Sequence, residues 1–349
     1  MKFWISGYSR KNNPSAALYD SKQSAALWTA DLENPSYLCF RGPYLFALGE
    51  FDNYSTLSSF RREGNTFLPV DTLRLEGGAL CHITTDPAIT FLAGSCWGTG
   101  HFFTVSLRPD GTFGSLLFSQ VLDDGTRRKS RMHFSKILGD YLYGVNIELD
   151  AIFCFRQEQG QLTPVSILRL PEGCGPRHFY ADEKRQLFYC VTEYSSELLV
   201  IDSSQPKQLR LVSRHPLLDP GFSGESTGST LAVSRDGSDL YAANRGEDTI
   251  AHFRLSPEGR PTLAGRYSCH GKCPRHIALL DQDRVLGIAN QNSDEVILLE
   301  CGGDGTLGTA PATHSLRVAF LCGGRSAGTT VTVTITSRTL HRVVDFPPI

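Results

Sequence analysis

The stretch PRHFYADEKRQLFYCVTEYSSELLVID, residues 176–202, reads as three short strands joined by polar turns. The stretch PRHIALLDQDRVLGIANQNSDEVILLE, residues 274–300, repeats that pattern at the same length. In both, an acidic turn precedes an apolar, β-rich strand, and a short polar turn precedes the next strand. Two such copies predict an architecture that is assembled from one repeated supersecondary unit.

Four further copies follow the same plan, and they begin near residues 35, 81, 132 and 229. In all six copies the second strand ends at an equivalent position: Glu50, Cys96, Asn146, Glu193, Asn244 and Asn290. These ends recur at roughly fifty residues, the period of a four-stranded propeller blade.

The two ends of the chain supply a seventh unit. KFWISGY, AALYDS and ALWTAD resemble the second, third and fourth strands of a blade, and a strand near RVAFLC (317–322) is expected to be its innermost strand. Closing the ring in this way removes open sheet edges. We therefore predict an all-β, seven-bladed β-propeller, a single domain over residues 1–322, and a tail over 323–349 to which the sequence assigns no role.

Composition gives no reason to expect nucleic acid or a membrane as a partner. The 349 residues carry a net charge of −2, which offers no electrostatic reason to expect nucleic acid. No run of 18 apolar residues predicts a membrane span, and no secretory signal is recognisable. The ten cysteines lack the spacing of a disulfide framework and are expected to be reduced, so the cytoplasm is the predicted location. Nothing addresses the oligomeric state.

Neither a metal nor a cofactor is predicted. CHGKC, residues 269–273, offers two thiols and one imidazole, too few ligands for a structural zinc site, and it reads as a turn. No glycine-rich phosphate loop opens a helix, and no serine nucleophile elbow is present.

Charged residues recur where propeller strands meet near the axis. Arg177 and His178 precede an innermost strand, and Glu193 and Arg245 follow second strands, so their side chains are expected to converge. A buried ion pair that ties two blades together is an alternative for Arg177 and Glu193. Arg245 has an alternative pairing as well, with Glu247 or Asp248. Because side chains alternate along a strand, His178 is expected to point away from the site.

Five motifs in order resemble the lactonase family of seven-bladed propellers, which includes bacterial 6-phosphogluconolactonases and fungal muconate-lactonizing enzymes. They are GPRH (175–178), VTEYSS (191–196), ANRGEDTI (243–250), PRHIAL (274–279) and ANQNSDEV (289–296). The resemblance covers roughly residues 2 to 322. Two departures concern the substrate more than the reaction: Arg131 stands where many relatives have a histidine, and Cys96 replaces the usual asparagine.

The resemblance implies a catalytic set of His133, Arg177, Glu193 and Arg245, and the sequence adds His82 and Arg275 as candidates for substrate binding at the pocket rim. Either Glu193 or His133 can serve as general base, and an arginine can stabilise an oxyanion. The implied function is hydrolysis of an anionic sugar lactone, in the manner of 6-phosphogluconolactonase. Two alternatives stay open: an enzyme for another lactone or a muconate-type acid, in either reaction direction, and a non-catalytic binding propeller.

Overall fold

The computed structural model describes residues 2–8, 15–20, 26–64, 66–126, 128–309, 316–317 and 334–337. These residues form strands and one short 3₁₀ turn, Pro206–Gln208. No helix among them has the length and apolar character needed to cross a membrane.

The strands in chain order are β1 (Lys2–Ser6), β2 (Ala16–Asp20), β3 (Ala26–Ala30), β4 (Leu38–Arg41), β5 (Tyr44–Glu50), β6 (Tyr54–Glu63), β7 (Thr66–Glu76), β8 (Leu80–Thr85), β9 (Phe91–Cys96), β10 (His101–Leu107), β11 (Phe113–Val121), β12 (Met132–Leu138), β13 (Tyr141–Asn146), β14 (Ala151–Glu158), β15 (Gln161–Arg169), β16 (Pro176–Asp182), β17 (Leu187–Thr192), β18 (Glu197–Asp202), β19 (Arg210–Pro216), β20 (Thr227–Val233), β21 (Asp239–Arg245), β22 (Thr249–Leu255), β23 (Pro261–Ser268), β24 (Pro274–Leu280), β25 (Val285–Asn290), β26 (Glu295–Glu300), β27 (Leu316–Arg317) and β28 (Thr334–Ser337). The described part of the chain arranges them as seven antiparallel sheets of four strands each. The seven-bladed propeller predicted from the repeat is confirmed. We number the blades one to six from β4 onward, and the seventh contains β1 to β3.

The seventh blade closes the ring with strands from both ends of the chain, as predicted, but with a different C-terminal strand. Its order is β28-β1-β2-β3, and Ile5 pairs with Ile335. Leu316 and Arg317 instead form the outer strand of the sixth blade. The prediction that RVAFLC closes the ring is therefore wrong, and residues 318–322 lie outside the described part. A boundary at residue 322 does not separate the propeller from the tail, because β28 belongs to that tail.

The hydrophobic core lies between the blades. Seven clusters of buried apolar residues each span one pair of neighbouring sheets. Trp4 and Phe3 show how the last blade is held: Trp4 packs on the first blade with Leu38, and Phe3 packs on the sixth with Leu280. Apolar second and third strands, buried on both faces, are what this stacking requires.

The innermost strands meet around the axis, and they carry a recurring irregularity at their first residues. In the second, third, fourth and sixth blades, pairing with the neighbouring strand skips one residue: Cys81, His133, Arg177 and Arg275. This is the geometry of a β-bulge, which re-aims side chains and interrupts the alternation of a strand. Four blades thus present an unpaired residue at the same height of the ring.

Candidate active site

The bulge residues line a cavity at one end of the ring. It is open to solvent, encloses about 320 Å³ including its mouth, and is lined by Ser36, Tyr37, Glu50, Cys81, His133, Arg177, His178, Arg275 and His276. Three residues predicted for the site, His133, Arg177 and Arg275, are among those that line it.

Glu193 joins the site through two arginines. Its Oε2 accepts hydrogen bonds from Arg177 Nε at 2.8 Å and lies 3.2 Å from Arg245 Nη2. The structure brings together the four residues predicted to converge: His133, Arg177, Glu193 and Arg245. Of these, Glu193 and Arg245 stand behind Arg177 and do not line the cavity. Arg245 pairs with Glu193, whereas Glu247 bonds to the backbone of Asp219 and to Thr249.

Backbone contacts fix these arginines where the fourth and fifth blades meet. Arg177 donates through Nη1 to the carbonyl of Ser229, and Arg245 donates through Nη2 to the carbonyl of Gly228 at 2.9 Å. Gly228 N–H in turn donates to the carbonyl of Glu193 at 3.1 Å. A Cβ on Gly228 would lie 2.1 Å from the carbonyl oxygen of Thr192, so only glycine permits this approach.

Burial and mutual repulsion set the charges of the site. Burial by itself would raise the pKa of Glu193, but the guanidiniums of Arg245, Arg177 and Arg275 outweigh it and lower that pKa. Burial, followed by the positive charge of Arg177, lowers the pKa of His133 well below its usual value. At neutral pH the site therefore holds an ionised Glu193 and a neutral His133.

The His178 side chain faces the cavity, contrary to the sequence-based expectation. Its ring centroid lies 5.0 Å from that of His133 and 4.9 Å from that of Phe134. The expectation assumed strict alternation along the strand, and the bulge at Arg177 removes that alternation. His178 and Arg177 can consequently face the same space although they are adjacent in sequence.

His82 lies in the wall behind the cavity and not on its rim. It is 3% exposed, packs between Tyr37 and Phe134, and is not among the lining residues. Its Nδ1 accepts a hydrogen bond from Ser135 N–H at 3.2 Å, which places its own proton on Nε2. Burial lowers the pKa of His82 well below its usual value. The structure thus gives His82 a supporting place, while Arg275 lines the pocket as predicted.

Several lining residues were not selected from the sequence: Ser36, Tyr37, Glu50, Cys81, His178 and His276. A signal existed for some of them. Ser36, Cys81, His133, Arg177 and Arg275 each follow the residue that opens an inner-strand repeat, and Glu50 marks the same register as Glu193. Aligning the repeats position by position, rather than selecting charged motifs, would have found them.

The site contains an unusual concentration of unsatisfied polar atoms. Within the part of the chain that the structure describes, Glu50 Oε2, His133 Nδ1, His178 Nε2, Arg245 Nε and Arg275 Nε are buried without a hydrogen-bond partner. Buried polar atoms are nearly always paired in folded proteins, so such a group beside one cavity marks a place where a polar ligand could be bound.

No metal-binding group is evident in the described ranges, where no cluster of three or more His, Cys, Asp or Glu residues could hold an ion. In the CHGKC turn, the first thiol makes a hydrogen bond within the turn: Cys269 Sγ donates to the carbonyl of Gly271 at 3.2 Å.

Comparison with known proteins identifies relatives across most of the chain. Residues 3–318 match the family model described as "Lactonase, 7-bladed beta-propeller". A 6-phosphogluconolactonase of Bacillus subtilis is 25% identical over 306 residues, which cover 82% of this chain and 86% of that protein.

Solved structures share the fold. The periplasmic gluconolactonase PpgL of Pseudomonas aeruginosa superposes with a TM-score of 0.82 at 21% identity, covering 91% of this chain and 96% of that one. A protein from Lactobacillus plantarum gives a TM-score of 0.80 at 20% identity, with coverages of 90% and 97%.

Proposed function

This chain belongs to the lactonase family of seven-bladed β-propellers, and from that premise we propose that it hydrolyses an anionic sugar lactone of the 6-phosphogluconolactone kind. A lactone is an internal ester. Its hydrolysis requires an activated water, stabilisation of a tetrahedral oxyanion, and a proton for the departing ring oxygen.

The unsatisfied polar atoms around the cavity carry this proposal. Arg275 Nε and Arg245 Nε are donors without acceptors among the described residues, and Glu50 Oε2 is an acceptor without a donor. Three guanidiniums, those of Arg177, Arg245 and Arg275, accompany the two carboxylates of Glu50 and Glu193. The guanidiniums outnumber the carboxylates by one, and this excess positive charge suits a phosphorylated or carboxylated substrate.

In the proposed reaction, Arg275 donates to the carbonyl oxygen as it acquires negative charge. A single donor of this kind typically contributes about 3 kcal/mol to transition-state stabilisation. Arg177 and Arg245, held by Glu193, supply further positive potential. His133 is neutral and can accept a proton from water or orient it. Because opening and closing of the lactone pass through the same transition state, the same residues can also catalyse lactonization.

Direct assay tests the proposal. Purified protein is mixed with freshly prepared 6-phosphogluconolactone, and the spontaneous hydrolysis rate measured without protein is subtracted. We expect enzyme-dependent hydrolysis, with a higher kcat/KM than for the unphosphorylated glucono-lactone, because the excess positive charge favours the phosphate. If the protein hydrolyses none of the three lactones (6-phosphogluconolactone, glucono-lactone and a muconolactone), the result would favour the non-catalytic binding propeller.

A non-phosphorylated sugar lactone is the second candidate substrate, and the likeness to a protein described as a gluconolactonase favours it. Equal kcat/KM for both sugar lactones, or preference for glucono-lactone, would select this alternative. If 6-phosphogluconolactone is the substrate, we propose that the protein acts in the cytoplasm. Its reaction would follow the oxidation of glucose 6-phosphate, since that oxidation produces the lactone.

A further inference from the structure

Two carboxylates occupy equivalent places in the repeat but differ in their surroundings. Glu50 ends β5 in the first blade, and Glu193 directly follows β17 in the fourth. Glu50 lines the cavity together with His133 and Arg275, whereas Glu193 does not.

One carboxylate oxygen of Glu193 contacts two cations. Its Oε2 receives Arg177 Nε and Arg245 Nη2 at 2.8 and 3.2 Å, and these charges lower its pKa. A carboxylate that accepts a charged hydrogen bond from one guanidinium and lies beside a second is a weak proton acceptor, because protonation would weaken both contacts. Its geometry is that of a residue that holds two arginines in place.

Glu50 is fixed at its backbone and unsatisfied at its side chain. Its N–H donates to the carbonyl of Asn34 at 3.0 Å, and Asn34 Nδ2 donates to the Glu50 carbonyl at 3.1 Å. Its Oε2 is buried and accepts no hydrogen bond from any described residue. The negative charge of Glu50 acts on two pocket residues: it raises the pKa of the Cys81 thiol, after burial, and contributes to raising that of Arg275.

We infer that Glu50, and not Glu193, is the general base of the reaction proposed above, on which this inference rests. Glu50 Oε2 accepts a proton from water while the water oxygen bonds to the lactone carbonyl carbon. The carbonyl π electrons move to the oxygen, which Arg275 stabilises. When the tetrahedral intermediate collapses, the ring C–O bond breaks, and the departing oxygen takes the proton back from Glu50. The net reaction consumes one water and yields one hydroxy acid.

The decisive experiment compares Glu50→Gln and Glu193→Gln in lactone turnover and thermal unfolding, with Glu76→Gln as the control on the exposed end of the same blade. Glu50→Gln should lower kcat by roughly 100-fold, the usual scale for general base catalysis, with a Tm near that of the wild type. Glu193→Gln should instead lower Tm and raise KM, while kcat falls less than in Glu50→Gln. Glu76→Gln should match the wild type in every measurement.

Chemical rescue of turnover distinguishes a general base from a residue with only a structural role, because added carboxylate can replace only the base. Formate added to Glu50→Ala supplies a carboxylate in the vacated space and should restore turnover in proportion to its concentration, with no such effect on Glu193→Ala. If Glu50→Gln fails to fold, Glu50→Asp keeps the charge but withdraws the carboxylate by one methylene, and it should lose more than about tenfold in kcat.

The outcomes separate this inference from the proposed function. If the wild-type protein hydrolyses lactones and the kcat of Glu50→Gln or Glu50→Asp lies within threefold of the wild-type kcat, then Glu50 is not the general base, while the proposed function stands. Rescue of Glu193→Ala but not of Glu50→Ala by formate leads to the same conclusion and transfers the role to Glu193. Wild-type protein without lactonase activity overturns the proposed function and this inference with it.

Discussion

The inner strand of the fourth blade carries an ion pair at each end, and the two pairs differ in their neighbours. At the C-terminal end, Asp182 accepts two hydrogen bonds from Arg185: Oδ1 accepts one from the backbone N–H at 3.0 Å, and Oδ2 accepts one from Nη1 at 2.6 Å. Arg185 Nε also donates to the carbonyl of Pro257 at 2.9 Å. At the other end, Arg177 and Glu193 adjoin Arg245 Nε and Arg275 Nε, which are buried without an acceptor among the described residues.

The difference separates a pair that holds a turn from a pair that holds a site. Asp182 and Arg185 are three residues apart, and their bonds saturate each other and the local backbone. Arg177 and Glu193 join strand ends of one blade and approach Arg245 of the next. The presence of an ion pair therefore says little about function; what distinguishes the site is the set of unpaired donors and acceptors beside it.

The largest effect should follow from removing Arg177. Arg177→Met keeps much of the side-chain volume but leaves Glu193 with Arg245 alone and the Ser229 carbonyl without its donor. We expect a loss of about 3 kcal/mol in the free energy of unfolding, the lower end of the range for breaking a buried pair, together with loss of lactone turnover. Urea unfolding measures the first quantity. Unchanged stability would mean that the pair is not held as the structure has it.

The pH dependence of stability should come next. Burial lowers the pKa of His133 in the folded state, so below the ordinary histidine value near 6.5 the unfolded chain binds more protons than the folded one. Stability is therefore lost as pH falls below about 6.5, by up to about 1.4 kcal/mol per pH unit for this histidine. His133→Gln should flatten the curve of Tm against pH between about 6.5 and 5. His270→Gln, in the turn before the sixth blade, is the control, and an equal flattening there would refute the assignment.

Arg275→Lys should have a smaller, substrate-specific effect. Arg275 lines the cavity, donates to Gln291 at 3.3 Å, and has a buried Nε without an acceptor among the described residues. A lysine keeps the charge but loses the two-pronged donor geometry, so KM for the lactone should rise about tenfold, or about 1.4 kcal/mol in binding. Arg284→Lys, in an exposed pair of the same blade, should leave KM unchanged. A KM increase in both variants would indicate a general effect of lysine on that blade.

The smallest effect should come from the saturated pair at the other end of the strand. Arg185→Met should leave kcat and KM at wild-type values, because the pair lies at the other end of the strand from the cavity. It should cost less stability than Arg177→Met, because Asp182 keeps the backbone N–H of residue 185 as a hydrogen-bond donor. Parallel measurement of unfolding and turnover checks both points. A loss of turnover comparable to that of Arg177→Met would erase the distinction between the two ends.

Much of this molecule could be predicted from the repeat. A unit of about fifty residues with apolar middle strands can bury both faces only by stacking against copies of itself, so six visible copies and two complementary ends imply a closed ring. Equivalent strand ends in a ring share one height near the axis. The proximity of His133, Arg177, Glu193 and Arg245 follows from that alone, because it requires only the register of the copies.

Tertiary structure decided which side chains face the cavity and which strand completes the ring. The bulge at Arg177 depends on pairing across strands, which a local pattern does not record, and it turns His178 into the site. The choice of β28 as the closing strand depends on contacts between the two ends of the chain, which no local pattern records. The contrast between Glu50 and Glu193 is likewise invisible in the repeat, since both mark the same position. Only the neighbouring blades determine which carboxylate meets two guanidiniums and which is left facing the cavity.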